Sequence, residues 1–168
     1  MYELFFLVLL IAIVVLSMRR GKPAVDSPLI IEQAGRYHIT LAPHLEGAQT
    51  FIEKVAEQLA MSPPTSGELP SLFFEVRDPN VSANSSEFYL LAVAYRGGVF
   101  YAQVINPQPL LRDADSYLKQ VQAFSEAVMV LHPTKHLLDD AEVKMFCRML
   151  EITAHQMNII VTRLVDHE

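Results

Sequence analysis

FYLLAVAYRGGVFYAQVI, Phe88 to Ile105, is the stretch that decides the fold. Two runs rich in aromatic and β-branched residues flank Arg96-Gly97-Gly98, and paired glycines supply the positive φ angles that a tight hairpin turn demands. The reading is a β-hairpin. Phe88 to Tyr95 has apolar side chains at odd and even positions alike, so its strand is expected in the middle of a sheet and covered on both faces.

Downstream, Asn106-Pro107-Gln108-Pro109 ends the second strand, because neither proline can donate a ladder hydrogen bond. A helix is expected next, with Leu118, Val121, Phe124, Ser125, Val128 and Leu131 on one face and Pro133 closing it. Another starts at Asp139, where Glu142 has capping-box spacing. Its buried stripe runs through Val143, Phe146, Cys147, Leu150, Ala154 and Met157. Asn158 to Val165 reads as a final β-branched strand.

Upstream of the hairpin, Asp78 to Ser86 is a polar loop and Ser71 to Arg77 a β-like run. Met61 to Pro70 carries three prolines, two serines and a glycine, the composition of a surface loop. Before it, Leu45, Ala48, Ile52, Val55, Ala56 and Leu59 form a helical stripe opposite Glu46, Gln49, Glu53 and Glu57. Arg36 to Ala42 alternates, with Tyr37, Ile39 and Leu41 on one side and Arg36, His38 and Thr40 on the other, and Leu29 to Glu32 reads as a short strand. The resulting order, β-β-α-β-β-β-α-α-β, implies an α+β fold: one mostly antiparallel sheet of five or six strands covered by about three helices.

The head of the chain has different chemistry. Leu4 to Ser17 contains no charge, glycine or proline, and an 18-residue helix would rise ~27 Å, close to the ~30 Å of a bilayer core. Leu4, Phe5, Phe6, Leu7, Leu10, Ile13 and Leu16 are expected to face lipid. A cleaved signal peptide carries its cations before the apolar run, whereas here Glu3 precedes it and Arg19, Arg20 and Lys22 follow. Residues 1–20 therefore read as a transmembrane signal-anchor, 21–28 as a linker and 29–168 as the folded domain. The positive-inside bias places that domain in the cytoplasm. There the acceptor tripeptides at Asn80 and Asn84 would never meet the glycosylation machinery. The linker spans at most ~28 Å when extended, so the domain is expected to work near the bilayer.

Of the 13 Lys and Arg and 19 Asp and Glu, only Arg19, Arg20 and Glu3 lie before Gly21, so the remainder is the more acidic part. A phosphate backbone requires a basic face, and nucleic acid is excluded as an expected partner. A single cysteine, Cys147, forms no internal disulfide.

Catalytic and metal chemistries find little footing, and neither a cofactor nor a metal site is expected. His132 and His136 have i, i+4 spacing, with Asp139, Asp140 and His155 as further donors, but Pro133 disfavours a regular helix through the pair. Cys147 and His155 stand eight residues apart, ~12 Å along one helix and too far for proton transfer. His38 and His44 have ordinary places on a strand's polar face and near a helix start. Met145, Met149 and Met157 at helical spacing read as core filling. No phosphate-cradling or nucleophile-elbow pattern occurs.

What survives is the aromatic content of the hairpin. Phe88, Tyr89, Tyr95, Phe100 and Tyr101 supply core mass and, wherever a sheet face is bare, a docking surface. The functional expectation is a non-enzymatic accessory or adaptor protein anchored by one membrane helix, with a protein partner for its cytoplasmic domain. The alternative is a membrane-tethered sensory domain of PAS-like, GAF-like or profilin-like architecture that binds a small ligand.

Overall fold

The computed structural model describes residues 28–33, 35–81, 88–106, 114–131 and 136–164. The expected anchor, its flanking cations and the linker up to residue 27 lie outside the described residues. Among the described residues no helix is long and apolar enough to cross a membrane.

The elements are β1 (Leu29–Gln33), β2 (Tyr37–Leu41), a 3-10 turn (Glu46–Ala48), α1 (Gln49–Met61), β3 (Leu69–Arg77), β4 (Tyr89–Arg96), β5 (Val99–Ile105), α2 (Ala114–Leu131), α3 (Asp140–Gln156) and β6 (Ile160–Leu164). They build one six-stranded sheet in the order β1-β2-β5-β4-β3-β6. The expected α+β class holds, but the sheet is mixed: β2 pairs with β5 in parallel while the other four pairings are antiparallel. The parallel pairing follows from connectivity. After β2 the chain crosses through α1 to β3, and the two antiparallel steps β3-β4-β5 bring β5 back beside β2 in the same direction.

The hairpin forms as its residues dictate. Gly97 and Gly98 have φ of 55° and 81°, the left-handed values that a two-residue turn requires and that β-branched residues resist. β4 is central, between β5 and β3, and its residues are buried except for the half-buried Leu90.

The two sheet faces are covered unequally. On the first, Ile39, Leu41, Phe74, Val76, Leu91, Val93 and Phe100 pack against Phe51, Ile52 and Val55 of α1 and against Val143, Phe146 and Leu150 of α3. On the second, Phe73, Ala92 and Ala94 meet Phe124 and Val128 of α2. Leu118, expected on the buried side of α2, is 60% exposed, because the buried contacts of that helix centre on Phe124 and Val128.

Two local devices set the start of α3. The Asp139 side chain accepts a hydrogen bond from the Glu142 backbone N–H at 2.9 Å, and the Glu142 carboxylate accepts one from the Asp139 N–H at 3.2 Å, completing the capping box read in the sequence. The residues before the cap are held by Glu68, whose N–H donates to the His136 carbonyl and whose carbonyl accepts from the Leu138 N–H. Gly67 makes this approach feasible: a Cβ there would lie 3.0 Å from the His136 carbonyl oxygen and 3.1 Å from the backbone of Leu137 and Leu138.

Tyr89, 1% exposed, carries a buried hydroxyl without a hydrogen-bond partner among the described residues. Burial, and secondarily the Asp78 carboxylate, pushes its phenol well above the usual 10. Tyr89→Phe is therefore expected to stabilise the fold by about 1 kcal/mol at neutral pH, since an unmade buried hydrogen bond is a cost the variant lacks. In the wild type the unfolded tyrosine ionises near pH 10 while the folded one stays protonated, so stability falls as pH rises through that value. Urea midpoints of the full chain in mild detergent, compared at pH 7 and above 10, are expected to show the variant losing less.

Candidate binding groove

The unequal covering leaves a groove. α2 seats itself over β3 and β4, where Ala92 and Ala94 give it room and Phe124 packs edge-on to Phe73 at 6.2 Å between ring centroids. Beside the helix, the second face of β5, β2 and β1 lines a cavity of about 700 Å³. Glu32, His38, Thr40, Tyr101 and Gln103 make its floor, and Gln120, Ala123, Phe124, Ala127 and Val128 its helical wall.

Strand register assembles the floor. Glu32 stands opposite His38, His38 opposite Tyr101, and Thr40 opposite Gln103, so the period-two alternation puts all five side chains on one face. His38 Nδ1 donates to Glu32 Oε1 at 2.8 Å, which turns Nε2 toward Thr40 Oγ1 at 3.4 Å. The His38 and Tyr101 rings lie 6.0 Å apart. Burial pushes the Tyr101 phenol above its ordinary value.

At 3.4 Å the imidazole and the Thr40 hydroxyl stand at the long end of hydrogen-bond distance, so their mutual hold is weak. The Glu32–His38 pair is largely solvated, with side chains 65% and 37% exposed, and contributes orientation more than stability.

The aromatic residues singled out in the sequence divide between the faces. Tyr89, Tyr95 and Phe100 are buried in the first-face core. Phe88 is half-buried, with the Arg77 guanidinium 5.9 Å from its ring centroid. Tyr101 lies on the groove floor and is the one member of the set that lines it. The anchor positions Leu4, Phe5, Phe6, Leu7, Leu10, Ile13 and Leu16, and the flank Arg19, Arg20 and Lys22, lie outside the described residues.

The weighed metal donors are dispersed: His136 and His155 are exposed, Asp139 caps α3, and His132 lies outside the described residues. Among the described residues no three His, Cys, Asp or Glu side chains converge as a metal site. Cys147 is buried; burial raises its thiol pKa, opposed by the nearby Arg163. Met145 departs from the core-filling expectation. It is 69% exposed, because Phe146, Cys147 and Leu150 take the side of α3 that faces the sheet. With Pro63, Pro64, Leu138 and Met149 it lines a smaller cleft of about 310 Å³ between α1 and α3.

The groove residues that sequence reading passed over are Glu32, His38, Thr40 and Gln103 on the strands and Ala123 and Ala127 on the helix. Their signal was present: polar side chains at His38, Thr40 and Gln103 occupy positions that a covering helix would require to be apolar. Compared with protein-family models, curated proteins and solved structures, the chain gives no match.

Proposed function

We propose that the protein is a single-pass membrane-anchored accessory or adaptor protein whose domain, on the cytoplasmic side, binds a protein partner in the groove beside α2. The observation that carries this reading is the open part of the second sheet face, where among the described residues β1 and β2 have no covering helix and β5 is overlapped by α2 only at Tyr101. Ile30, 55% exposed at the outer strand, faces the same way as Thr40 and extends the surface beyond a small closed pocket. The apolar run Leu4 to Ser17, followed by Arg19, Arg20 and Lys22, supports anchorage and orientation. A net charge of −6 supports a protein partner over nucleic acid.

Affinity purification of the full chain from native membranes in mild detergent tests the reading. A co-purifying protein is expected, and Ala127→Trp, which fills the groove from its wall, is expected to lower recovery by about tenfold, a loss of ~1.4 kcal/mol in affinity. Its urea midpoint should stay near wild type, because Ala127 is solvent-exposed. Recovery of the isolated chain alone, or full recovery with Ala127→Trp, would overturn the proposal. A small molecule held in place of a protein would move the assignment to the sensory alternative.

A further inference from the structure

We infer that two copies of the chain pair through β6, the strand at one edge of the sheet, in antiparallel register about a twofold axis at Thr162. This surface stands apart from the groove, which lies on the other side of α2.

Backbone geometry selects the register. The two-residue turn makes Arg96 and Val99 a hydrogen-bonded pair, and alternation carried from there through β4 and β3 points the N–H and C=O of Ile160, Thr162 and Leu164 at β3. Those of Val161 and Arg163 therefore point to the open edge, and among the described residues no strand lies beyond it. With Thr162 on the axis, Val161 meets Arg163 of the second copy and each such pair exchanges both its hydrogen bonds. The same register sets Ile160 opposite Leu164 of the second copy and Thr162 opposite itself, in the non-hydrogen-bonded positions where side chains stand closest. The other edge offers no such match: β1 paired on itself about Ile31 would set Ile30 against Glu32.

Exposed apolar side chains gather at the β6 edge. Ile160 is 64% exposed, and Leu164, on the same side of β6, packs in part against the α2 cluster. Leu118 and Met129, 60% and 57% exposed, stand by helical periodicity on the flank of α2 opposite the groove-lining Ala123 and Ala127, and so look toward β3 and β6. They lie ~16 Å apart along the helix axis, matching the ~17 Å of the five-residue β6. In the pair the two α2 helices flank the seam, with these side chains above the Ile160–Leu164 contacts. Charge does not oppose the contact. Arg163 and Glu151 both act on the Cys147 thiol, so the one cation of β6 has a carboxylate of its own copy nearby. A seam ~17 Å long and ~25 Å deep through the sheet and its helix layers covers on the order of 1,000 Å² over both copies, about what a specific pair requires.

The test introduces Thr162→Cys into the full chain and oxidises isolated membranes under mild conditions, with the wild type and its buried Cys147 as background. Facing non-hydrogen-bonded positions stand ~4.5 Å apart at Cα, within disulfide reach, so a covalent dimer is expected. Ile30→Cys, on the opposite edge, is expected to stay at background. Ile160→Lys changes an exposed position, so its urea midpoint should stay near wild type, yet it sets an ammonium against Leu164 and is expected to cut the Thr162→Cys dimer by at least about tenfold. Leu118→Glu, also at an exposed position, is expected to lower the yield by about threefold. A Thr162→Cys yield at background, equal dimer from Ile30→Cys, or a yield that both Ile160→Lys and Leu118→Glu leave unchanged would each overturn the inference.

Discussion

Glu68→Gln is expected to destabilise the fold by about 3 kcal/mol, the low end of the cost of leaving one charge of a buried pair uncompensated. The Arg96 side chain at the end of β4 is 6% exposed, and its Nη1 donates to Glu68 Oε2 at 3.2 Å. The other carboxylate oxygen accepts the Gly97 N–H at 3.1 Å, so one side chain neutralises the cation and fixes the hairpin tip. Arg96 Nε has no partner among the described residues, which leaves the guanidinium little reserve once the carboxylate is gone. Glutamine keeps the shape and an acceptor oxygen but removes the charge. The estimate stays low because the Glu68 side chain is 18% exposed and water would supply part of the loss.

The discriminating comparison is the double variant Glu68→Gln with Arg96→Leu. Removing the buried cation should recover most of the stability, since an apolar replacement of a buried pair is often neutral or better. Urea unfolding of the full chain in mild detergent provides the readout. A Glu68→Gln loss below about 1 kcal/mol would show that Arg96 reaches solvent and that the pair is an ordinary surface one.

Glu68 also shows where sequence reading runs out. The hairpin from Phe88 to Ile105 and the Asp139–Glu142 capping box were legible because their causes are local, carried by residues within a few positions of one another. The clamp joins residues 28 positions apart. Nothing in the Pro-rich stretch Met61 to Pro70 marks its one carboxylate, Glu68, as structural. The β2–β5 parallel pairing was hidden for a related reason, because strand order follows from how the crossover through α1 lands, which no local pattern encodes.

The candidate groove was harder still, since it arises from missing cover. His38 and Thr40 were visible as the outward face of a strand, but their convergence with Glu32 and Gln103 needed the register between β1, β2 and β5. Most of the aromatic set supplies core mass. Tyr101 faces the groove, while Tyr89, Tyr95 and Phe100 point into the first-face core, as alternation along two paired strands demands.

That contrast between faces fixes the other large effect. Phe74→Ala is expected to cost about 3–5 kcal/mol, the range for emptying a fully buried phenylalanine site that the surroundings cannot refill. Phe74 is 1% exposed and belongs to the first-face cluster, where α1 and α3 close over the sheet and are themselves joined by the Thr153 hydroxyl donating to Gln58 Oε1 at 2.7 Å. Helices held from both sides cannot move into the void, so the cavity persists. Its neighbour Phe73 provides the control. It is 9% exposed, faces α2 alone, and packs edge-on to Phe124 beside a groove of about 700 Å³. There the helix has space to settle, and Phe73→Ala should cost about half as much, because collapse reduces the cavity contribution. Urea midpoints of the two variants decide the point. Equal losses would mean that α2 is held as rigidly as α1 and α3, and the groove would then present a fixed wall to the partner proposed above. A clear difference would make that wall adjustable, with Phe73→Ala altering partner recovery while most of the fold's stability is retained.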